Sequence, residues 1–81
     1  MTIADMTPGP TTESGRKWQG YMVSRIRRRV HRERSFGIEI KKLLRHGMRR
    51  WRPEDAVGTL ADLAGVDWLY DPNTGEVRFF E

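Results

Sequence analysis

Trp18, Met22, Ile26 and Val30 recur every four residues, with Tyr21 and Val23 beside them. That is the spacing of one side of an α-helix. It predicts a first helix from about Arg16 to Arg34, with Ser14 as its cap. Ser35-Phe36-Gly37 interrupts the period; Gly37 permits positive φ and Ser35 can cap the next element. Beyond the break two patterns overlap. Phe36, Ile38 and Ile40 alternate like a short strand, whereas Ile40, Leu43, Leu44 and Met48 fit a helix. The reading is a second helix from about Ile38 to Arg50, with an extended start as the alternative and Gly47 as its weak point. Pro53 suits the first position of a third helix, with Glu54 and Asp55 in its first turn. Ala56, Val57, Leu60, Ala61, Leu63 and Ala64 form its apolar side, and Gly65 is its natural stop. Val66–Tyr70 and Glu76–Phe80 then read as two strands around Asp71-Pro72-Asn73-Thr74-Gly75, where Pro72 and Gly75 suit a tight reversal.

The expected fold class is α+β: three helices followed by a C-terminal β-hairpin. Residues 1–15 contain Pro8, Gly9, Pro10, Gly15 and four threonines and read as a disordered, flexible arm. Residues 16–81 form one small α+β domain. About 65 ordered residues support only a marginally stable core. A partner or a second copy would add to it.

Charge changes this picture most. Residues 16–52 hold fourteen Lys and Arg against Glu33 and Glu39 alone, while residues 53–81 hold seven carboxylates against Arg78 alone. The formal net charge of +4 conceals this division. On the first helix Arg25, Arg28 and Arg32 sit at i, i+3 and i+7, opposite the apolar side. Arg27 and Arg34 flank the far edge, and Arg29 lies at the boundary. A second cluster comprises Lys41, Lys42, Arg45, Arg49, Arg50 and Arg52, with His46 and Trp51 among them. Such concentrated positive charge attracts a polyanion, and nucleic acid is the commonest. Twelve of the fifteen basic residues are Arg, whose fork makes two-point contacts to phosphate and guanine. Trp51 and Trp18 read first as core or lid aromatics, with base stacking as the alternative.

There is no cysteine, which excludes disulfides, thiolate metal sites and cysteine-based catalysis. No apolar stretch approaches the roughly 20 residues of a membrane span, and no secretory signal pattern opens the chain. A cytoplasmic protein without a membrane partner is expected. His31 and His46 each sit among arginines and lie on separate elements. No phosphate loop, nucleophile motif or metal spacing is present. The chain therefore reads as a non-enzyme without cofactors or metals.

The order of three helices and a hairpin resembles the winged helix-turn-helix family over roughly Lys17 to Phe80. The resemblance is carried by Leu60-Ala61-Asp62-Leu63-Ala64-Gly65-Val66 leading into Trp68-Leu69-Tyr70-Asp71 and Gly75-Glu76-Val77-Arg78-Phe79. It implies DNA binding and transcription regulation. In that family the helix before the wing usually enters the major groove. Here the matching helix carries Glu54, Asp55 and Asp62 and no basic residue, so it would repel phosphate. The first helix and the Lys41–Arg52 segment become the expected contact surface, unless the frame serves protein binding instead.

The hairpin adds a candidate interface. If Tyr70 opposes Glu76, then Trp68 opposes Arg78 and Val66 opposes Phe80, while Leu69, Val77 and Phe79 point the other way. That register leaves Trp68, Tyr70 and Arg78 on an outer face. There they could form a protein interface, a symmetric homodimer first, or stack on bases. An internal cation–π pair of Trp68 with Arg78 is the local alternative. The sequence thus points to a non-catalytic binder of DNA or RNA through its arginines, in regulation or nucleoprotein assembly. The alternative is an adaptor or inhibitor, of phage or mobile-element type, docking its basic face on an acidic groove of a larger nucleic-acid-processing protein.

Overall fold

In the computed structural model, which describes residues 12–46 and 50–81, three helices pack on one face of a three-stranded antiparallel sheet. Helix α1 spans Glu13–Glu33, strand β1 Ser35–Glu39, the single-turn α2 Ile40–Leu43, α3 Pro53–Ala64, β2 Asp67–Asp71 and β3 Glu76–Phe80. The class matches the expectation. The strand count does not, because a third strand joins the hairpin.

Helix α1 begins earlier than its apolar period implies. Thr12, not Ser14, is the N-cap, and its Oγ1 accepts the Gly15 N–H at 3.0 Å. Glu13, Ser14 and Gly15 are therefore helical, and the acidic Glu13 suits the positive end of the helix dipole. Residues 1–11 of the expected arm lie outside the described residues. At the other end Arg34 takes a left-handed conformation, φ 72°, and its N–H closes on the Val30 carbonyl at 2.8 Å. Glycine is the usual residue there. The Arg34 guanidinium instead reaches Glu81 Oε2 at 2.7 Å, tying the end of α1 to the C-terminus.

The expected second helix is mostly replaced. Its first residues are strand β1, and only Ile40–Leu43 is helical; Gly47, Met48 and Arg49 lie outside the described residues. Burial explains the change. As a strand, Phe36 pairs with Phe79, and their rings stack at 6.3 Å between centroids. A local helical pattern of four apolar residues does not outweigh a non-local partner that seals both phenylalanines from water.

Helix α3 keeps the expected limits. Pro53 sits at its start, and Gly65 ends it at φ 73°. The core unites α1, α3 and the inner sheet face through Met22, Ile26, Val30, Leu60, Val57 and Phe79, all essentially inaccessible to solvent. Trp51, Leu44 and Ala56 form a smaller adjoining cluster.

β3 lies between β1 and β2. The hairpin register differs by one residue from the expected one. Asp71 opposes Glu76, Tyr70 opposes Val77, Trp68 opposes Phe79 and Leu69 opposes Arg78. The reversal is a four-residue loop, Pro72 to Gly75, in which Gly75 adopts φ 76°. A one-residue slip exchanges the two faces of a strand. Trp68 and Tyr70 therefore pack half-buried against the core, and Leu69 is 64% exposed beside Arg78. The expected shared face of Trp68, Tyr70 and Arg78 does not exist.

The register also aligns Glu39, Glu76 and Asp71 across all three strands. Like charges directly opposite one another are destabilising. Replacing Glu39 by Gln is expected to raise unfolding stability by about 0.2–1 kcal/mol, less at high salt. Urea denaturation at two salt concentrations measures this. Phe79→Ala, at the centre of the core, is expected to cost about 3–5 kcal/mol, most of what a domain this small possesses. Loss of the cooperative urea transition would register it.

Candidate nucleic-acid interface

Burial of Met22, Ile26 and Val30 turns the opposite side of α1 to solvent. Arg28 and Arg32 emerge there with Tyr21, and Arg25 and Arg29 lie half-buried at its boundary; together they enclose a shallow concavity of about 240 Å³. Arg25 also borders a larger groove of about 660 Å³ that follows β1. The far rim of this groove carries Lys42, Arg45 and Arg78, and Trp18 and Phe36 line it. Glu39 and Glu76 line this groove too, so its four cations are partly offset. The two depressions share the Arg25 guanidinium and together form a track of net positive charge.

Aromatic rings hold the track in place. The Arg25 and Arg29 guanidinium carbons lie 5.2 and 5.1 Å from the Phe36 ring centroid. Arg45 lies 5.6 Å from the Trp18 ring. Each such contact contributes about 0.5–1 kcal/mol at an exposed site. It also restricts side chains that would otherwise lose more entropy on meeting an anion. Trp18 is itself anchored, its Nε1–H donating to the Leu43 carbonyl at 2.9 Å. Arg78 lies against Gly37, its Nη2 3.7 Å from a Cβ built on the glycine, which is ordinary contact distance. Arg78 also contacts Glu76 Oε1 at 3.3 Å.

The expected phosphate contacts divide into two sets. Arg25, Arg28, Arg29, Arg32, Lys42 and Arg45 lie on the track. The others are drawn elsewhere. Arg27 donates to the Leu63 carbonyl at 2.8 Å, satisfying a group in the last turn of α3. Arg34 is engaged by Glu81, and Arg52 lies 3.5 Å from Glu54 and 4.0 Å from Asp55. Lys41 borders a separate apolar groove with Ile40, Leu44 and Pro53. Arg50 is exposed, and Arg49 lies outside the described residues. The sequence does not single out Phe36 and Gly37 as parts of this site, and offers Trp18 there only as the alternative to a core reading. Only the four-residue spacing of Arg25 and Arg29, which puts both on one side of α1, hints at their shared ring.

Within the described residues, no carboxylate approaches Arg25, Arg28, Lys42 or Arg45 within 4.0 Å. Arg29 and Arg32 share Glu33, whose Oε2 forms a close ion pair with Arg29 Nε and lies 3.4 Å from Arg32. Hydrogen bonding to the Arg29 side chain holds the Glu33 carboxyl below its ordinary value; desolvation opposes this, and the charges of Arg29 and Arg32 reinforce it. Trp68, Tyr70 and Arg78, expected as one interface, are separated: the two aromatics face the core, and Arg78 joins the cationic groove.

No family model, curated protein or solved structure matches this chain.

A carboxyl whose pKa falls on folding contributes stability above its unfolded value, and loses it as pH drops through the folded one. The Glu33 contribution is therefore present above about pH 4.5 and lost below it. Glu33→Gln is expected to lower stability at neutral pH and to flatten the acid limb of the stability profile. Urea midpoints measured from neutral to acidic pH check this; an unchanged acid limb would contradict it.

Proposed function

We propose that this chain is a non-catalytic nucleic-acid-binding domain that holds a phosphate backbone along α1 and the β1 groove. One observation carries the reading: cations from α1, the α2 region and β3 converge on a single concave track, with Arg25 common to both of its parts. A solvated helix face needs no such convergence. Guanidinium groups fixed over Phe36 and Trp18 offer their N–H edges to phosphate oxygens with little further ordering.

The element order and the sheet behind it support a winged-helix-like frame put to unusual use. Helix α3, the counterpart of the usual major-groove reader, exposes Glu54, Asp55 and Asp62. Contact through it would set carboxylates against phosphates. The side of α1 that bears Arg25, Arg28 and Arg32 takes its place as the contact surface. Affinity comes from neutralised phosphates, and any discrimination comes from those arginines that reach base edges. A role in regulation or nucleoprotein assembly follows from binding without catalysis.

Contact with four to six phosphates of a duplex gives a log–log salt slope of roughly −3.5 to −5.5. Arg28→Ala and Arg45→Ala are each expected to make that slope shallower by about 0.9 and to weaken binding to unrelated sequences alike. Fluorescence anisotropy with duplex and single-stranded probes over a salt series measures both effects. Slopes unchanged by these substitutions would refute the assignment. So would recovery, from nuclease-treated extract, of one stoichiometric protein partner with no nucleic acid in the untreated sample. That result would favour docking of the same basic face on an acidic protein groove.

A further inference from the structure

The two edges of the sheet carry opposite charge. β1 is one edge and β2 the other. Beside β1 stand Arg25, Lys42, Arg45 and Arg78 against Glu39 and Glu76, with Arg28 and Arg32 next along α1, so the balance at this edge is positive. Beside β2 the exposed acids are Asp67 and Asp71 on the strand and Asp55 and Asp62 on α3. Asp55 and Asp62 share a side of α3 with Gly58, at i, i+3 and i+7. Gly58 lies against the Trp68 ring of β2, with 3.5 Å from a Cβ built on the glycine to the nearest ring atom. The division of charge along the chain becomes a division across the sheet.

Both edges also present unpaired backbone. The Ile40 N–H donates to the Gly75 carbonyl at 2.7 Å, continuing the β1–β3 ladder. Alternation along an antiparallel ladder then points the polar groups of Val77 and Phe79 toward β1, and those of Glu76, Arg78 and Phe80 toward β2. On the outer strands this leaves the N–H and C=O groups of Ser35 and Gly37, and the N–H of Glu39, facing out of the β1 edge; the Glu39 C=O, at the N-cap of α2, takes that helix's first bond. Those of Trp68 and Tyr70 face out of the β2 edge. Each edge strand is five residues long. Gly37, at the middle of β1, has no side chain to hold an approaching backbone away. Natural proteins usually protect such edges with inward charges, bulges or covering segments.

We infer that the β1 edge of one copy takes the β2 edge of a second copy, extending the sheet head to tail. The occupant follows from charge. Pairing β1 with β1 would bring two cationic grooves together, and pairing β2 with β2 would oppose two rows of aspartates. Only β1 with β2 joins unlike charges while satisfying both sets of backbone groups. Such a contact is heterologous, so each copy retains one free edge of each kind and the association continues rather than closing as a symmetric dimer. Leu69, 64% exposed on β2, then gains cover beside Gly37 or Ser35 of the neighbour. Because the basic edge is also the proposed phosphate track, nucleic acid and a second copy compete for it.

Sedimentation velocity on the full chain, freed of nucleic acid, tests this. The expected result is a mass above the 9.5 kDa of one chain that rises with concentration at low salt and falls as salt is added. Reversing the basic edge (Arg28→Glu with Arg45→Glu) or the acidic edge (Asp62→Lys with Asp67→Lys) should return each variant to 9.5 kDa. An equimolar mixture of the two variants should associate again, since each reversed edge then meets its complement. Gly37→Pro removes an outward N–H without altering charge and should also give a monomer; it serves if a reversal variant fails to fold. A mass of 9.5 kDa at every concentration overturns the proposal. Association that survives acidic-edge reversal or Gly37→Pro, or a mixture of folded variants that stays monomeric, does so equally. The acidic-edge variant should still bind nucleic acid, so failure of this inference is distinct from failure of the phosphate-binding reading.

Discussion

The Phe36 ring is the contact on which both the fold and its cationic surface depend. It stacks against Phe79 of the central strand and carries the guanidinium groups of Arg25 and Arg29. Removing Phe36 from β1 would detach the edge strand from the core. It would also release two of the cations that border the groove. Packing and electrostatics meet at one side chain because α1 lies across β1, so the boundary of its apolar side falls directly over the strand. The surface cations thereby acquire fixed positions, which a mobile lysine or arginine in water does not have.

The chain spends its charges in two ways. Arg27, Arg34 and Arg52 close structure: one satisfies a carbonyl of α3, one ties helix α1 to the C-terminus, and one joins the start of α3 to its own acidic first turn. Isolated exposed pairs of this type contribute little stability; Glu81 and Glu54 offset the charges of Arg34 and Arg52, whereas Arg27 keeps its charge at the α3 carbonyl. Arg25, Arg28, Arg29, Arg32, Lys42 and Arg45 lie on the track beside β1, while Lys41 borders a separate groove. The acids of α3 and β2 lie at the opposite edge. Tertiary folding thereby concentrates a dipole that the linear chain only suggests.

That arrangement links the proposed phosphate binding to the proposed self-association. Both draw on the same cations, and both depend on β1 being an open edge rather than a covered one. A polyanion satisfies the charge but not the backbone groups; a second copy satisfies both but offers fewer negative charges. The balance between them is set by salt and by protein concentration. A small domain with a limited core stands to gain stability from either partner.

Elements governed by local chemistry were legible in the sequence. The four-residue period of Trp18, Met22, Ile26 and Val30 marks α1, Pro53 and Gly65 mark the limits of α3, and Pro72 with Gly75 marks the reversal before β3. The arginine side of α1 was legible for the same reason, since helical spacing alone places Arg25, Arg28 and Arg32 together. Non-local pairing decided the rest. Ile38 fits a helix start or, with Phe36 and Ile40, a strand, and only the presence of β3 alongside selects the strand for Phe36 and Ile38. The hairpin register rested on a single residue of loop length, and packing of Trp68 and Tyr70 against the core chose it, inverting the faces expected for them and for Leu69. The sequence alone determines how much charge the chain carries and on which helices it rides. Which arginines remain free for a partner was decided by tertiary contacts to Leu63, Glu81 and Phe36, because a side chain's partners depend on neighbours that the linear order does not reveal.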